Sequence, residues 1–300
     1  MGTFVQQVFN GLTVGGIYAL IALGYTMVYG VMRMINFAHG DLCILGAFIG
    51  LTLLSGAAGS GQPGAALLLL AFVLAIIVVA AAGVLLELVA YRPLRHADRL
   101  AAVVSALGAS VLIENGIMIV WGPNVHVFPA GLLPPTAWNV AGATITFVQV
   151  MIILASVVLM AALYVFVHHT SFGTAIRAAA IDQDAARLMG INVNRVILSV
   201  FVIGPALGAI GGLFVGVYYR EAYFTMGWTY GLYAFIAAIL GGIGNIPGAM
   251  LGGVLLGLFN AFAAGYVSSS WQDAITFALL IAILLVRPTG LLGERVAEKV

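Results

Sequence analysis

Apolar runs of membrane length, cut by short polar breaks, set the pattern of this chain. The first, residues 8–29, reaches the roughly 20 residues that a spanning helix needs. It gives way to GVMRMINFAHGDL, where Arg33, Asn36, His39 and Asp41 gather in otherwise apolar sequence. A shorter run, 42–54, closes in the Gly/Ser-rich turn SGAAGSGQPG. Residues 65–90 span again and carry Glu87 at their far end, and Pro93 supports a break in the compact basic loop 91–99 (YRPLRHADR). Residues 101–121 form the next span, with Glu114 and Asn115 inside it. A proline-rich loop without Lys or Arg, 122–143, separates it from 144–167. Further spans follow at 196–219 and 271–286, and the stretch between them, 231–265, is rich in glycine.

The longest polar segment is 168–195, HHTSFGTAIRAAAIDQDAARLMGINVNR. Asp182 suits an N-cap and Gly190 the C′ position of a short helix. Within that helix Ala185, Leu188 and Met189 fall at i, i+3 and i+4 and share a face. A small apolar knob framed by Arg177, Arg187 and Arg195 suits a docking site for a soluble partner; a solvated loop with two incidental turns is the plainer alternative.

Charge then orients the chain. Segments 91–99, 168–195 and the tail 287–300 each hold three Lys or Arg, which the positive-inside rule places in the cytoplasm. Loop 122–143 goes outside, and Arg220, beside Glu221, is the lone external exception. Between Arg195 and Arg287 the chain must cross an even number of times. The stretch 231–265 therefore has to break, at GGIGNIPGA, where Gly244, Asn245 and Pro247 cluster; its halves either both span or both return as a re-entrant hairpin. The result is an all-α, polytopic helical bundle of eight or nine spans, some broken, with an external N-terminus if 42–54 truly crosses. Residues 16–22 (GIYALIA) and 231–237 (GLYAFIA) echo each other ahead of a polar break, as in transporters built from repeats.

Composition agrees and narrows the chemistry. The chain is 63% hydrophobic and 7% charged, with mean hydropathy +1.16, against about 25% charged for soluble domains. Thirty-eight glycines suit closely packed membrane helices. A net charge of +1 offers no nucleic-acid footprint. A single cysteine, Cys43, excludes an internal disulfide and a cysteine-rich metal site, and reads as a small core residue. The N-terminus lacks a basic n-region, which predicts no cleaved leader, and Gln6 breaks the myristoylation pattern. The only lysine is Lys299, so no Walker A loop exists. There is no HExxH pair and no GxSxG turn, and Asp41 and Asp273 are the only candidates for a membrane aspartyl pair. No catalytic residue, metal or cofactor is expected, and residues 1–300 read as one domain.

Ionisable residues at membrane depth default to a functional reading. For Asn36, His39 and Asp41 a structural or gating role ranks above substrate contact, because Arg33 and Asp41 also fit the end of the first helix at the interface. Glu114 and Asn115 lie deeper and serve equally as pathway residues or as an interhelical clamp. His168 and His169 fit an interfacial helix end.

MINFAHGDL, RAAAIDQDAARLMGIN and AAILGGIGNIPGAMLGG, with AYRPLR before the 101–121 span, stand in the order found in one transporter family. From GGIYALIALGY to RPTGLLGE the chain resembles the membrane permease of branched-chain amino acid ABC importers. The resemblance implies an inner-membrane subunit working with a second, related permease, two ABC ATPase subunits and a periplasmic binding protein. It also implies that the helix from Asp182 to Gly190 fits a cleft in the ATPase. Permeases for urea, short amides and other amino acids share these motifs. A stand-alone channel or secondary transporter is the competing class, and would need a relay of buried ionisable groups, of which Glu114 is the one carboxylate clearly inside a span.

Overall fold

The computed structural model describes residues 2–58, 65–95, 97–129, 131 and 133–293. Most of the glycine-rich turn at 55–64, His96 of the basic loop, and the tail from 294 with Lys299 lie outside the described residues.

Helices carry nearly all of the described chain: α1 (Gly2–Met32), α2 (His39–Ala58), α3 (Ala65–Leu86), α4 (Arg99–Trp121), α5 (Phe147–His169), α6 (Ser171–Ile181), α7 (Gln183–Leu188), α8 (Val193–Tyr219), α9 (Met226–Gly241), α10 (Ile246–Tyr266) and α11 (Gln272–Val286). Eight helical segments are long and apolar enough to cross a membrane, and α9 is a shorter apolar helix of 16 residues. The chain is a multi-pass helical membrane protein. Short strands also occur: β1 (His126–Val127) pairs antiparallel with β4 (Glu221–Ala222), and β2 (Ala137–Val140) with β3 (Ala143–Thr146). The second pair turns through Ala141 and Gly142, both at positive φ, so the loop expected at 122–143 is partly a hairpin.

Hydrogen bonds sort the connections onto two faces. On one, Arg33 Nη2 donates to Ala180 O (3.0 Å) and Arg95 Nη1 to Asn194 Oδ1 (2.6 Å). On the same face Leu291 and Leu292 N–H donate to Leu240 and Gly241 O (both 2.9 Å), and Tyr29, Arg33, Arg177, Asn245 and Pro288 line one cleft. The basic loop, the 168–195 segment and the chain after α11 therefore share a face, as the charge distribution requires. On the opposite face, Thr144 N–H donates to Gln6 Oε1 (2.8 Å), tying the hairpin to the start of α1, and β1 holds β4. Helix α9 begins just beyond β4 and ends on the basic face. The glycine-rich stretch thus divides into two antiparallel helices, α9 and α10.

The break between α9 and α10 has a local cause. Gly242 (φ 108°) and Gly244 (φ 95°) take backbone conformations that disfavour side chains. Asn245 Oδ1 caps α10 by accepting from Gly248 N–H (2.9 Å), and Pro247 occupies the first turn, where its missing N–H costs nothing. The echoed segments lie in α1 and α9, each followed by a break, and their tyrosines Tyr18 and Tyr233 stack with centroids 5.3 Å apart.

Helices α1 and α8 form the centre of the bundle, and both are largely buried. Glycine brings backbones together where apolar packing, not hydrophobic burial, must hold helices in lipid. A Cβ on Gly257 of α10 would lie 2.2 Å from Gly15 N of α1, and one on Gly212 of α8 would lie 1.9 Å from Cys43 O of α2. Both clashes are with backbone, which cannot rotate away. Gly212→Ala should cost about 1–3 kcal/mol by overpacking. Thermal unfolding of the purified protein should show a lower midpoint, and an unchanged midpoint would mean that α2 and α8 do not meet there.

Two local departures from the expected pattern lie on the basic face. Helix α3 does not stop at its apolar limit but continues through a π turn, Glu87–Tyr91, and a short 3-10 turn, Arg92–Leu94. The wide turn brings Glu87 inward, where it is fully buried against Arg95 and Arg92. The 168–195 segment is likewise more than a loop. It holds α6 as well as α7.

Candidate functional site

The basic face presents an exposed two-helix element. Thr170 caps α6, accepting from Gly173 N–H (3.0 Å) while donating to Phe166 O (2.6 Å), so the chain turns sharply out of α5. Gly173, Ile176 and Ala179 form the buried stripe of α6, and Arg177 donates to Val167 O. The chain then extends at Asp182, whose carboxylate accepts from Asp184 N–H (2.9 Å) and Ala185 N–H (3.0 Å) and starts α7. Gly190, at φ 83°, ends it, with Gly190 N–H donating to Arg187 O and Ile191 N–H to Ala186 O (both 3.0 Å).

Only Ala186 of α7 is buried. Ala185 faces outward, and Ile181, Leu188 and Met189 are 84%, 89% and 83% exposed. Three large apolar side chains are thus held far into solvent beside charged groups. The element is also tied to the bundle by more than its ends. Gln183 Nε2 donates to Val31 O (2.7 Å), Arg33 holds Ala180, and Arg95 bridges Glu87 of the π turn to Asn194 at the start of α8. The exposed Arg187–Asp184 pair (3.1 Å) adds little. These bonds tie α6 and α7 to the end of α1, and the segment after α3 to the start of α8 beside them.

The second cluster lies inside the bundle. After α1 the chain turns back through Arg33 (φ 55°) and re-enters, so that α2 begins deep rather than at the interface. Asn36 is buried and its Oδ1 accepts from Tyr91 Oη (3.2 Å). His39 Nε2 pairs with Ile21 O (3.1 Å), three turns before the end of α1, and its ring meets Tyr25 edge-on (centroids 4.7 Å apart). Cys43 Sγ donates to His39 O (2.9 Å), a packed core thiol as expected. Asp41 lies against Gly227, the second residue of α9, and its Oδ2 accepts from Ser110 Oγ of α4. At about 1.5 Å per residue, Asp41 sits about 22 Å from the basic face along α9 and about 25 Å from the far end of α2.

Arg33 stands at the end of α1 on the basic face, whereas Asp41 is buried within the bundle. Glu114 follows Ser110 by one turn on the same side of α4 and is close enough for its carboxylate to act on Asp41. Asn115 is not brought into the cluster: it faces outward and donates to Val111 O (2.8 Å) of its own helix. His168 and His169 end α5, and His168 stacks on Tyr164. Among the described residues no cluster of His, Cys, Asp or Glu has the makings of a metal site.

Several residues of these clusters carried no signal of their own. Ser110 could have been found from its i, i+4 spacing to Glu114, and Arg95 from its place in the basic loop. Gly227, Tyr25 and Gln183 could not, because their partners are distant in sequence.

A deep polar cluster in a multi-pass helical bundle, with an exposed apolar element on its basic face, is the arrangement of a transporter-type membrane subunit. The chain belongs to the family described as branched-chain amino acid transport system, permease component, which matches residues 7–284. It is 43% identical to the high-affinity branched-chain amino acid transport system permease protein LivH of Escherichia coli strain K12, over 99% of this chain and 98% of that protein. It is equally similar, at 43% over 99% of this chain and 98% of the relative, to BraD of Pseudomonas aeruginosa, described in the same words. A shorter similarity, 33% identity over 43% of the chain and 42% of the relative, links it to the ribose import permease protein RbsC of Escherichia coli.

Proposed function

We propose that this chain is a permease subunit of an ATP-driven importer that carries branched-chain amino acids across the bacterial inner membrane. The observation that carries the reading is the family match over 7–284, with 43% identity to LivH along nearly the whole chain. Residues 1–300 act as one permease unit and 168–195 as its coupling element. Ile181, Leu188 and Met189 are the apolar contacts that an ABC ATPase subunit would cover, with Asp182 and Gly190 setting the ends of the helix and Ala185 on its outer side.

The chain performs no chemistry in this reading. ATP hydrolysis in the partner moves α6 and α7, and the links through Arg33, Gln183 and Arg95 pass the motion to α1 and α8. A second, related permease completes the pathway, a periplasmic binding protein delivers substrate to the face holding the β-hairpin, and the C-terminus lies in the cytoplasm. Asn36, His39, Asp41 and Glu114 line or gate the pathway. Gly244, Asn245 and Pro247 form the joint between α9 and α10. Asn115, facing outward, is available to a neighbouring subunit.

Proteoliposomes holding this chain with its ATPases, partner permease and binding protein should take up labelled leucine only when ATP and every component are present. Uptake by this chain alone, with or without an ion gradient, would replace the importer reading with a secondary transporter or channel.

A further inference from the structure

Asp41 is only half satisfied. Its side chain is 3% exposed, Oδ2 is held by Ser110, and Oδ1 has no hydrogen-bond partner. Among the described residues it enters no ion pair. The ionisable groups near it are Glu114, Tyr25 and Cys43, none of them a cation, and His39 is turned away to Ile21 O. A carboxylate oxygen left bare at this depth is costly unless something comes to it.

Asp41 is one wall of a niche of about 90 Å³ whose other walls include Tyr25, Phe37, Trp228, Leu232 and Phe235, with the glycines Gly227 and Gly231. Glycine at 227 makes room for the carboxylate, because a Cβ there would lie 2.2 Å from Oδ1. The lining selects the class of occupant. Calcium or magnesium needs about six oxygen ligands and zinc about four N, S or O ligands, and one carboxylate among aromatic rings supplies neither. An organic ammonium is satisfied by one carboxylate and by ring faces, and its carbons by Leu232 and Phe235.

We propose that this niche holds the ammonium group of the transported amino acid in transit, with the Asp41 carboxylate as its acceptor and the nearest carbons against Leu232 and Phe235. The inference rests on the importer reading above. The niche admits an ammonium and its nearest carbons rather than a whole amino acid, which makes it a passing station, open enough for release.

Charge and shape make opposite predictions for two substitutions. Asp41→Asn keeps the size and the Ser110 bond but loses the charge, and should lower ATP-driven leucine uptake about tenfold. Asp41→Glu keeps the charge and should retain more uptake than Asp41→Asn. The reverse order, or equal loss in both, would make Asp41 a packing residue and overturn the proposal. Both variants are compared at equal assembly with the ATPase subunits, by size exclusion.

Occupancy can be read without transport. In the assembled complex, Leu232→Cys in the wall of the niche should react with a permeant maleimide, because Leu232 is only partly buried, whereas the native Cys43 is buried. Millimolar leucine should slow that reaction, and 4-methylpentanoate, the same skeleton without the ammonium, should not. Equal slowing by both, or by neither, overturns the proposal. If the wild-type assembly shows no ATP-dependent uptake, the importer reading fails instead, and the labelling result still judges the niche.

Discussion

Leu188→Asp should abolish ATP-driven uptake in a protein that inserts and folds like the wild type. Leu188 is 89% exposed, so a polar residue there removes no internal contact, and surface substitutions of this kind usually shift stability by no more than about 0.5 kcal/mol. In a covered interface the same change buries a charge in an apolar cleft. Residues at such positions typically cost about 2 kcal/mol or more when altered, enough to release the ATPase at cellular concentrations. One complication is local: Asp near the C-terminus of α7 opposes the helix dipole. Leu188→Arg removes that objection, because its charge suits the helix end, and it should abolish coupling equally. Ala186→Asp is the contrasting case, since Ala186 is the one buried residue of α7; it should unseat the helix and lower stability as well. Co-purification of the ATPase subunits and leucine uptake measure the effect. Normal uptake in both Leu188 variants at normal expression would remove α7 from the coupling surface.

The reason α7 could be read in advance is that its determinants are local. Asp182, Gly190 and the spacing of Ala185, Leu188 and Met189 act within a few residues of one another, and so do Asn245 and Pro247 at the break before α10. The long apolar runs declare themselves in the same way, and the basic segments share a face because charge is sorted by the membrane rather than by tertiary contacts. What escaped was set by contacts far apart in the chain. Asp41 looked like an interface residue because it follows Arg33 by eight positions, yet the chain doubles back between them. Its depth is decided by Gly40 and Gly227, whose backbones meet across α2 and α9. Asn115 had the right depth and the wrong face, a distinction that hydropathy cannot make in a helix that is apolar all round. The β-hairpin was hidden for a different reason: its turn at Ala141–Gly142 sits in a loop where proline dominated the reading.

Glu87→Ala should give the largest loss of stability among single substitutions on the basic face. Glu87 is fully buried, and the side chain of Arg95 is only 12% exposed, so this is a buried pair with Arg92 as an outer, half-exposed member. Removing one member of such a pair strands the other charge, at a cost of about 3–5 kcal/mol. The outcome is not merely a weaker helix end. Arg95 also donates to Asn194 at the entry to α8, so its guanidinium joins the π turn after α3 to the coupling element. Glu87→Gln separates the two roles. It preserves the volume and an acceptor oxygen while removing the charge, and should recover part of the stability but leave Arg95 less firmly held. Thermal unfolding and ATP-driven uptake, measured on both variants, test the chain of contacts link by link. If Glu87→Gln unfolds at the wild-type temperature but transports poorly, the pair serves to hold Arg95 for coupling. If both variants unfold and transport as the wild type does, the π turn is a geometric detail and motion must reach the bundle through Arg33 and Gln183 alone.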